Sequence, residues 1–320
     1  MTKRKLIVTQ NLDDVYTKQI KAILPDWELI IGRDRSIWEN HLNDAEIIAG
    51  WKKEMKDVLF QENSSVQWIQ TCTAGVNYLP LEKLQSRNIQ VTSANGVHSY
   101  PISETIFALM LGLTRKIHSY VRNQQTKKWH HENMKLEIHE KTIGIIGVGA
   151  IGQETAKIAK AFGMKVLGIR HSGESKPYVD EMYKIDQLHS ILPRCDYIVI
   201  TLPLTENTTS LFGAEQFKLM KSTAFVINIG RGAIIVEKDL VTALENGDIA
   251  GAGLDVFEQE PLPSTSALWE HDNVIITPHT AGSTAYYDKR VVEDVLLPNL
   301  QNYLMNEPLS INVVDYQKGY

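Results

Sequence analysis

Lys141-Thr-Ile-Gly-Ile-Ile-Gly147-Val-Gly149-Ala-Ile-Gly152 is the stretch whose reading decides the fold. A short β-branched apolar run leads into three glycines at G-x-G-x-x-G spacing, and the helical-period segment Ala150–Phe162 follows. Strand, glycine turn and helix in that order form a phosphate cradle. Gly147 suits the tight turn, Gly149 lets the backbone approach a pyrophosphate, and Gly152 lets helix and strand pack closely. The helix N-terminus presents unpaired N–H groups and a positive dipole end to the phosphates. Ala150 and Ile151, between the glycines, belong to the same cradle. The segment therefore predicts a dinucleotide site.

Working outward, short apolar runs alternate with helical-period segments over the whole chain. Downstream strands are predicted at Thr142–Gly147, Met164–Ile169, Asp196–Leu202, Ala224–Ile229, Ile249–Asp255 and Asn273–Thr277. Upstream runs are Leu6–Thr9, Glu28–Ile31, Glu46–Trp51, Trp68–Thr73 and Ile89–Ser93, with an amphipathic stretch at Val15–Leu24. Such alternation predicts an α/β protein with doubly wound parallel sheets. A long helix is expected from Ser99 as cap and Pro101 in its first turn, with Ile106, Leu109, Met110 and Leu113 facing inward. A final helix is expected over Thr284–Met305. The division falls near residue 100, so residues 101–284 read as the dinucleotide-binding domain.

The second strand after the glycines selects the cofactor. An acidic residue about 20 positions on would bind the ribose hydroxyls of NAD. Here Arg170 stands 18 residues past Gly152, followed by His171 and Ser172. A guanidinium at that place suits a 2′-phosphate, and the two neighbours add donors. NADPH preference is expected, with NADH use as the alternative.

Bulk properties narrow the class. The chain has 320 residues, 43% hydrophobic and 22% charged, which suits two ordinary soluble domains. A formal charge of −5 gives no general attraction to nucleic acid or an anionic membrane. No apolar run reaches a membrane span or resembles a signal segment, so a cytoplasmic protein is expected. Two cysteines, Cys72 and Cys195, lie in apolar runs and form no metal-ligand pattern.

Three later segments carry the chemistry: Asn228-Ile-Gly230-Arg231-Gly232, Asp255-Val-Phe-Glu-Gln-Glu260-Pro261, and Thr277-Pro278-His279-Thr280. Each follows a predicted strand, and carboxyl ends of strands line the ligand crevice of such sheets. Taken singly, Arg231, Glu260 and His279 are ordinary loop residues. Behind a dinucleotide cradle they read as a substrate-binding guanidinium, a carboxylate and an acid–base imidazole.

With these motifs in place the chain resembles the D-isomer-specific 2-hydroxyacid dehydrogenase family, closest to its glyoxylate/hydroxypyruvate reductase branch. The likeness is densest from Lys141 to Gly282 and includes Thr201-Leu-Pro203-Leu-Thr205 with Thr208. It implies a Rossmann domain and a flavodoxin-like substrate domain, residues 1–100 completed by 285–320. It also implies that Arg231 binds the substrate's carboxylate and carbonyl, that His279 is the acid/base, and that Glu260 is its partner. Asp255 is similar to the family residue at the nicotinamide. Leu202, Pro203, Thr208, Ile229 and Gly230 match cofactor-lining positions, to which Arg231 and His279 also belong. The segment Thr73-Ala-Gly75-Val76-Asn77 is similar to the loop whose backbone N–H groups bind the substrate carboxylate. Trp51 matches either a tryptophan at the substrate or a core residue. The resemblance implies a homodimer, for which the helix from Pro101 is the expected interface element. Two other readings remain open: a phosphoglycerate dehydrogenase-like NAD enzyme, and a non-catalytic NAD(P)-sensing protein of the same fold.

Overall fold

The protein is described by a computed structural model over residues 3–76, 78–131 and 135–317. Asn77, part of the expected carboxylate loop, lies outside the described residues. The chain separates into two compact units: Met1–Val97 with Thr284–Tyr320, and His98–Ser283.

The first unit holds β1 (Lys5–Val8), β2 (Glu28–Ile31), β3 (Ile47–Ala49), β4 (Trp68–Gln70) and β5 (Gln90–Thr92). They form one parallel sheet in the order β2-β1-β3-β4-β5. This is the flavodoxin-like order, reversing beside β1. Leu6, Ile7, Ile47, Ile48, Trp68 and Ile69 are fully buried, because helices cover both sheet faces. On one face Ile20 meets Leu296 and Leu300 from the end of the chain. Burying each such aliphatic side chain is worth about 1.5–3 kcal/mol.

The second unit holds β6 (Thr142–Ile146), β7 (Lys165–Ile169), β8 (Glu181–Tyr183), β9 (Tyr197–Ile200), β10 (Phe225–Asn228), β11 (Gly251–Leu254) and β12 (Val274–Ile276). All pairings are parallel, in the order β12-β11-β10-β9-β6-β7-β8. The order reverses at β6, so the crevice between the ends of β6 and β9 is the ligand position of a doubly wound sheet. Two α/β parallel-sheet domains are thus in place, as expected.

Several local expectations need correction. Ser99 is the first residue of the helix Ser99–Thr114, and His98 occupies the cap position without a side-chain cap bond. Ile106, Leu109, Met110 and Leu113 do face inward, against the unit's own sheet and the Ala150–Ala161 helix. That face is therefore unavailable to a partner. The expected final helix begins at Tyr287, and Val291–Leu296 is wound as a π-helix before Leu297–Leu304. The helix Ile117–Gln125 and strand β8 were not expected. Neither cysteine lies on a strand: Cys195 is buried before β9 and Cys72 half-buried beyond β4. Burial pushes the Cys195 thiol up to about 12, the behaviour of an inert core residue. Among the described residues no helix is long and apolar enough to cross a membrane.

Candidate active site

The cradle is built by close approach. Gly147 has φ +115°, which a side chain would strain, and its N–H donates to the Ile169 carbonyl at 3.0 Å. A Cβ on Gly152 would lie 2.4 Å from the Gly147 oxygen, so any larger residue would prise the helix from the turn. Above Gly149 there is open space, with nothing within 4 Å of where its Cβ would stand. Gly149 caps the Ala150–Ala161 helix without a side chain, leaving the first-turn N–H groups facing that space. This arrangement fits a diphosphate.

Three strand ends close around it. The Thr201 hydroxyl donates to the Gly147 carbonyl at 2.7 Å. A Cβ on Gly230 would lie 2.7 Å from the Leu202 oxygen, so the chain after β10 runs against the chain after β9. Thr208, buried, donates to the Pro203 carbonyl at 2.8 Å and accepts from the Thr205 N–H at 2.7 Å, fixing the loop. Ile229 is buried in the core beneath. On the other side, Arg170 ends β7 with Nη1 2.8 Å from the Val148 carbonyl and Nε 3.2 Å from the Ser172 hydroxyl. The structure therefore brings Arg170 and Ser172 to the glycine turn, with His171 exposed beside them.

The catalytic candidates come from the ends of β10, β11 and β12. Asn228, 1% exposed, accepts from the Gly230 N–H and donates to the Arg231 carbonyl, so it braces the turn that presents Arg231. Gly232 permits the next contact: a Cβ there would lie 1.8 Å from the Phe257 carbonyl carbon. That approach sets the Arg231 turn against the segment carrying Glu260. Glu260 accepts from the Phe257 N–H at 3.0 Å, and its other oxygen lies 2.7 Å from His279 Nδ1. Burial opposes ionisation of Glu260. The His279 hydrogen bond, the Phe257 N–H and the charges of His279 and Arg231 outweigh it, holding the carboxyl below its usual range.

His279 sits at φ +53°, an uncommon left-handed position for a side-chain-bearing residue. Asp255 holds it there. This buried carboxylate accepts from the Thr277 hydroxyl at 2.6 Å and from the Thr280 and Ala281 N–H groups at 3.0 Å. Asp255, expected at the nicotinamide, also braces the loop that carries the imidazole. Asn228 and Gly232 were missed by sequence reasoning. The signal for both was a polar residue closing an apolar run and a second glycine directly after Arg231.

In the first unit, Gly75 is exposed and Val76 buried. The Thr73 hydroxyl bonds the Gly75 carbonyl at 2.9 Å and the Tyr78 hydroxyl at 2.8 Å. Trp51 is half-buried and packs on that unit's core. Among the described residues no cluster of three or more His, Cys, Asp or Glu could hold a metal ion.

A diphosphate cradle beside a guanidinium and a carboxylate-bound imidazole defines the class: an NAD(P)-dependent oxidoreductase. Residues 107–281 match the family described as D-isomer specific 2-hydroxyacid dehydrogenase, NAD binding domain. Glyoxylate reductase of Pyrococcus horikoshii is 31% identical over 93% of this chain and 92% of its own. A D-isomer specific 2-hydroxyacid dehydrogenase family protein of Aeromonas salmonicida has a solved structure with TM-score 0.81 and 34% identity, covering 98% of this chain and all of that one. The NADPH-dependent glyoxylate/hydroxypyruvate reductase of Sinorhizobium meliloti, solved with NADP and sulfate, has TM-score 0.79 and 28% identity over 99% of this chain and all of its own. The chain belongs to the D-isomer-specific 2-hydroxyacid dehydrogenase family and resembles its glyoxylate/hydroxypyruvate reductase branch.

Proposed function

We propose that this enzyme reduces a small 2-oxo acid of the glyoxylate or hydroxypyruvate class to the D-2-hydroxy acid, with NADPH preferred over NADH. The observation that carries the reading is the 2.7 Å contact between His279 Nδ1 and Glu260. With Nδ1 donating to a carboxylate kept ionised, Nε2 is the nitrogen that exchanges a proton with substrate. A reduced nicotinamide, when bound in the Gly147–Gly152 cradle, would supply the hydride for C2 of the oxo acid. His279 Nε2 gives its proton to the oxygen formed, and Glu260 balances the charge on the ring. Arg231 binds the oxo-carboxylate with a planar guanidinium and stabilises the developing oxyanion. Gly75 and Val76 contribute backbone N–H groups to the carboxylate, and Trp51 apolar surface.

Arg170 supports the NADPH preference. It stands at the end of β7 with the Ser172 hydroxyl beside it, where the fold would otherwise place a ribose-binding acid. One hydrogen bond to a charged group is worth about 1.5–3 kcal/mol, or roughly ten- to a hundredfold in cofactor preference. The enzyme is read as a cytoplasmic homodimer, and the exposed Ile117, Val121 and Trp129 offer apolar surface for the partner copy.

The test is steady-state kinetics on a panel of 2-oxo acids with each cofactor. Glyoxylate or hydroxypyruvate should be reduced, with kcat/KM about ten- to a hundredfold higher for NADPH. Equal efficiency with NADH removes the preference. Failure to oxidise either cofactor across the panel would falsify the reductase reading in favour of a cofactor-sensing protein.

A further inference from the structure

The carboxyl edge of the five-stranded sheet carries a second constellation, wholly within the first unit. β1, β2 and β3 run into a cavity of about 350 Å³ lined by Thr9, Gln10, Asn11, Arg33 and Lys52. The cavity sits where the strand order reverses, with β2 and β3 on either side of β1. That is the ligand position of a doubly wound sheet.

Three features define what the cavity would take. Thr9 is 1% exposed, and its hydroxyl is buried with no hydrogen-bond partner. It packs against Gly50, 2.1 Å from where a Cβ there would stand, so Thr9 forms a closed floor beneath the cavity. Second, Arg33 and Lys52 line the same cavity, and neither pairs with a carboxylate among the described residues. The opposite edge of the same sheet behaves differently. There Arg4 meets Glu46 at 2.5 Å and Lys5 meets Asp44 at 2.6 Å. Third, the remaining lining is amide: Gln10, and Asn11, whose side-chain carbonyl accepts from the Arg33 backbone N–H at 3.0 Å. Two cations without a carboxylate partner among the described residues, and the amide side chains Gln10 and Asn11, line a space large enough for a small anion.

We propose that this cavity is an oxyanion-binding site, taking a phosphate or carboxylate group through Arg33 and Lys52. The group is either a free inorganic anion or the anionic end of a phosphorylated or dicarboxylic 2-oxo acid; the second source rests on the reductase reading above. Arg33 is exposed and Lys52 half-buried, so Arg33→Gln/Lys52→Gln removes both charges with little disturbance of the core.

Calorimetric titration of the full-length chain with inorganic phosphate tests the site without reference to activity. Phosphate should bind, and the double variant should bind it at least about tenfold more weakly, since charge-assisted bonds of that kind are worth a factor of ten or more each. Unchanged melting of the variant establishes that it is folded. Kinetics then separate the sources. If the anion belongs to a substrate, the variant's KM for 3-phosphohydroxypyruvate or oxaloacetate rises about tenfold while that for glyoxylate is unchanged. If it is a free ion, no KM moves and phosphate affinity alone falls. Wild-type protein that binds no phosphate and shows no selective KM change in the variant overturns the site. An enzyme inactive on every oxo acid sinks the reductase reading, while the phosphate titration still decides this one.

Discussion

The carboxyl edges of the two sheets are built from the same kind of strand, yet they handle polar groups in opposite ways. At the β10–β12 edge the polar side chains are answered from within: Asn228 bonds its own turn, Asp255 takes three bonds from the His279 loop, and Glu260 takes two. At the β1–β3 edge the Thr9 hydroxyl is unanswered and two cations stand without a carboxylate. The first pattern is that of a fixed apparatus, in which reactive side chains are held before any substrate arrives. The second leaves two cations open to an anion, as the proposed oxyanion site requires.

The largest effect should come from breaking the fixed edge at its reacting atoms. His279→Ala is expected to lower kcat by about 10²- to 10⁴-fold while cofactor affinity, read by fluorescence titration, stays near that of the parent. Arg231→Lys keeps the charge but loses the planar fork, and should lower kcat/KM by about 10²-fold or more. Near-native turnover in either variant would take that residue out of its role and leave the β10–β12 edge a structural brace only.

A smaller effect separates the two edges by stability alone. Asp255→Asn turns an acceptor into a donor facing backbone N–H groups, and should cost roughly 1.5–3 kcal/mol in denaturant unfolding. Thr9→Val deletes a hydroxyl that has no partner, and should be neutral or stabilising by up to about 1 kcal/mol. Comparable losses in both variants would mean that Thr9 has an answering group after all, and the contrast would collapse.

Much of this was legible in the chain before its structure was known, for a physical reason. Parallel strands covered on both faces must be nearly continuous apolar runs, so eleven of the twelve strands among the described residues stand out in the sequence. The predicted ends overran at Leu202, Ile229 and Asp255 because those residues keep an apolar or buried setting beyond the last paired residue of each strand. Strand β8 was illegible: it has three residues at the sheet edge, and Glu181 spends its charge on Arg194 and Lys165. The meeting of Glu260 with His279 follows from motif order and strand order together, since nothing in a separation of 19 residues places them 2.7 Å apart. Arg33 was unreadable as a ligand group. In Gly32-Arg33-Asp34-Arg35 it looks like one more solvated charge, and only the order β2-β1-β3 brings it to the cavity that Lys52 also lines.

The smallest effect concerns how the two edges answer acid. Glu260 has its folded pKa held below the usual carboxylate value of 4.5, against the opposing pull of burial, by His279, the Phe257 N–H and Arg231. A depressed carboxylate contributes stability that is fully present above its unfolded pKa and is lost as pH falls through the lower folded value. The melting temperature of the parent minus that of Glu260→Gln should therefore shrink as the pH is taken below the usual carboxylate range. The side chain is 35% exposed, so solvent screening keeps the step small. Arg33→Gln/Lys52→Gln should show no matching step, because neither cation is paired with a carboxylate among the described residues. A difference curve for Glu260→Gln that stays flat through the acid range would show that the His279 contact does not hold the carboxylate in its charged form, and the fixed edge would lose the feature that most sets it apart.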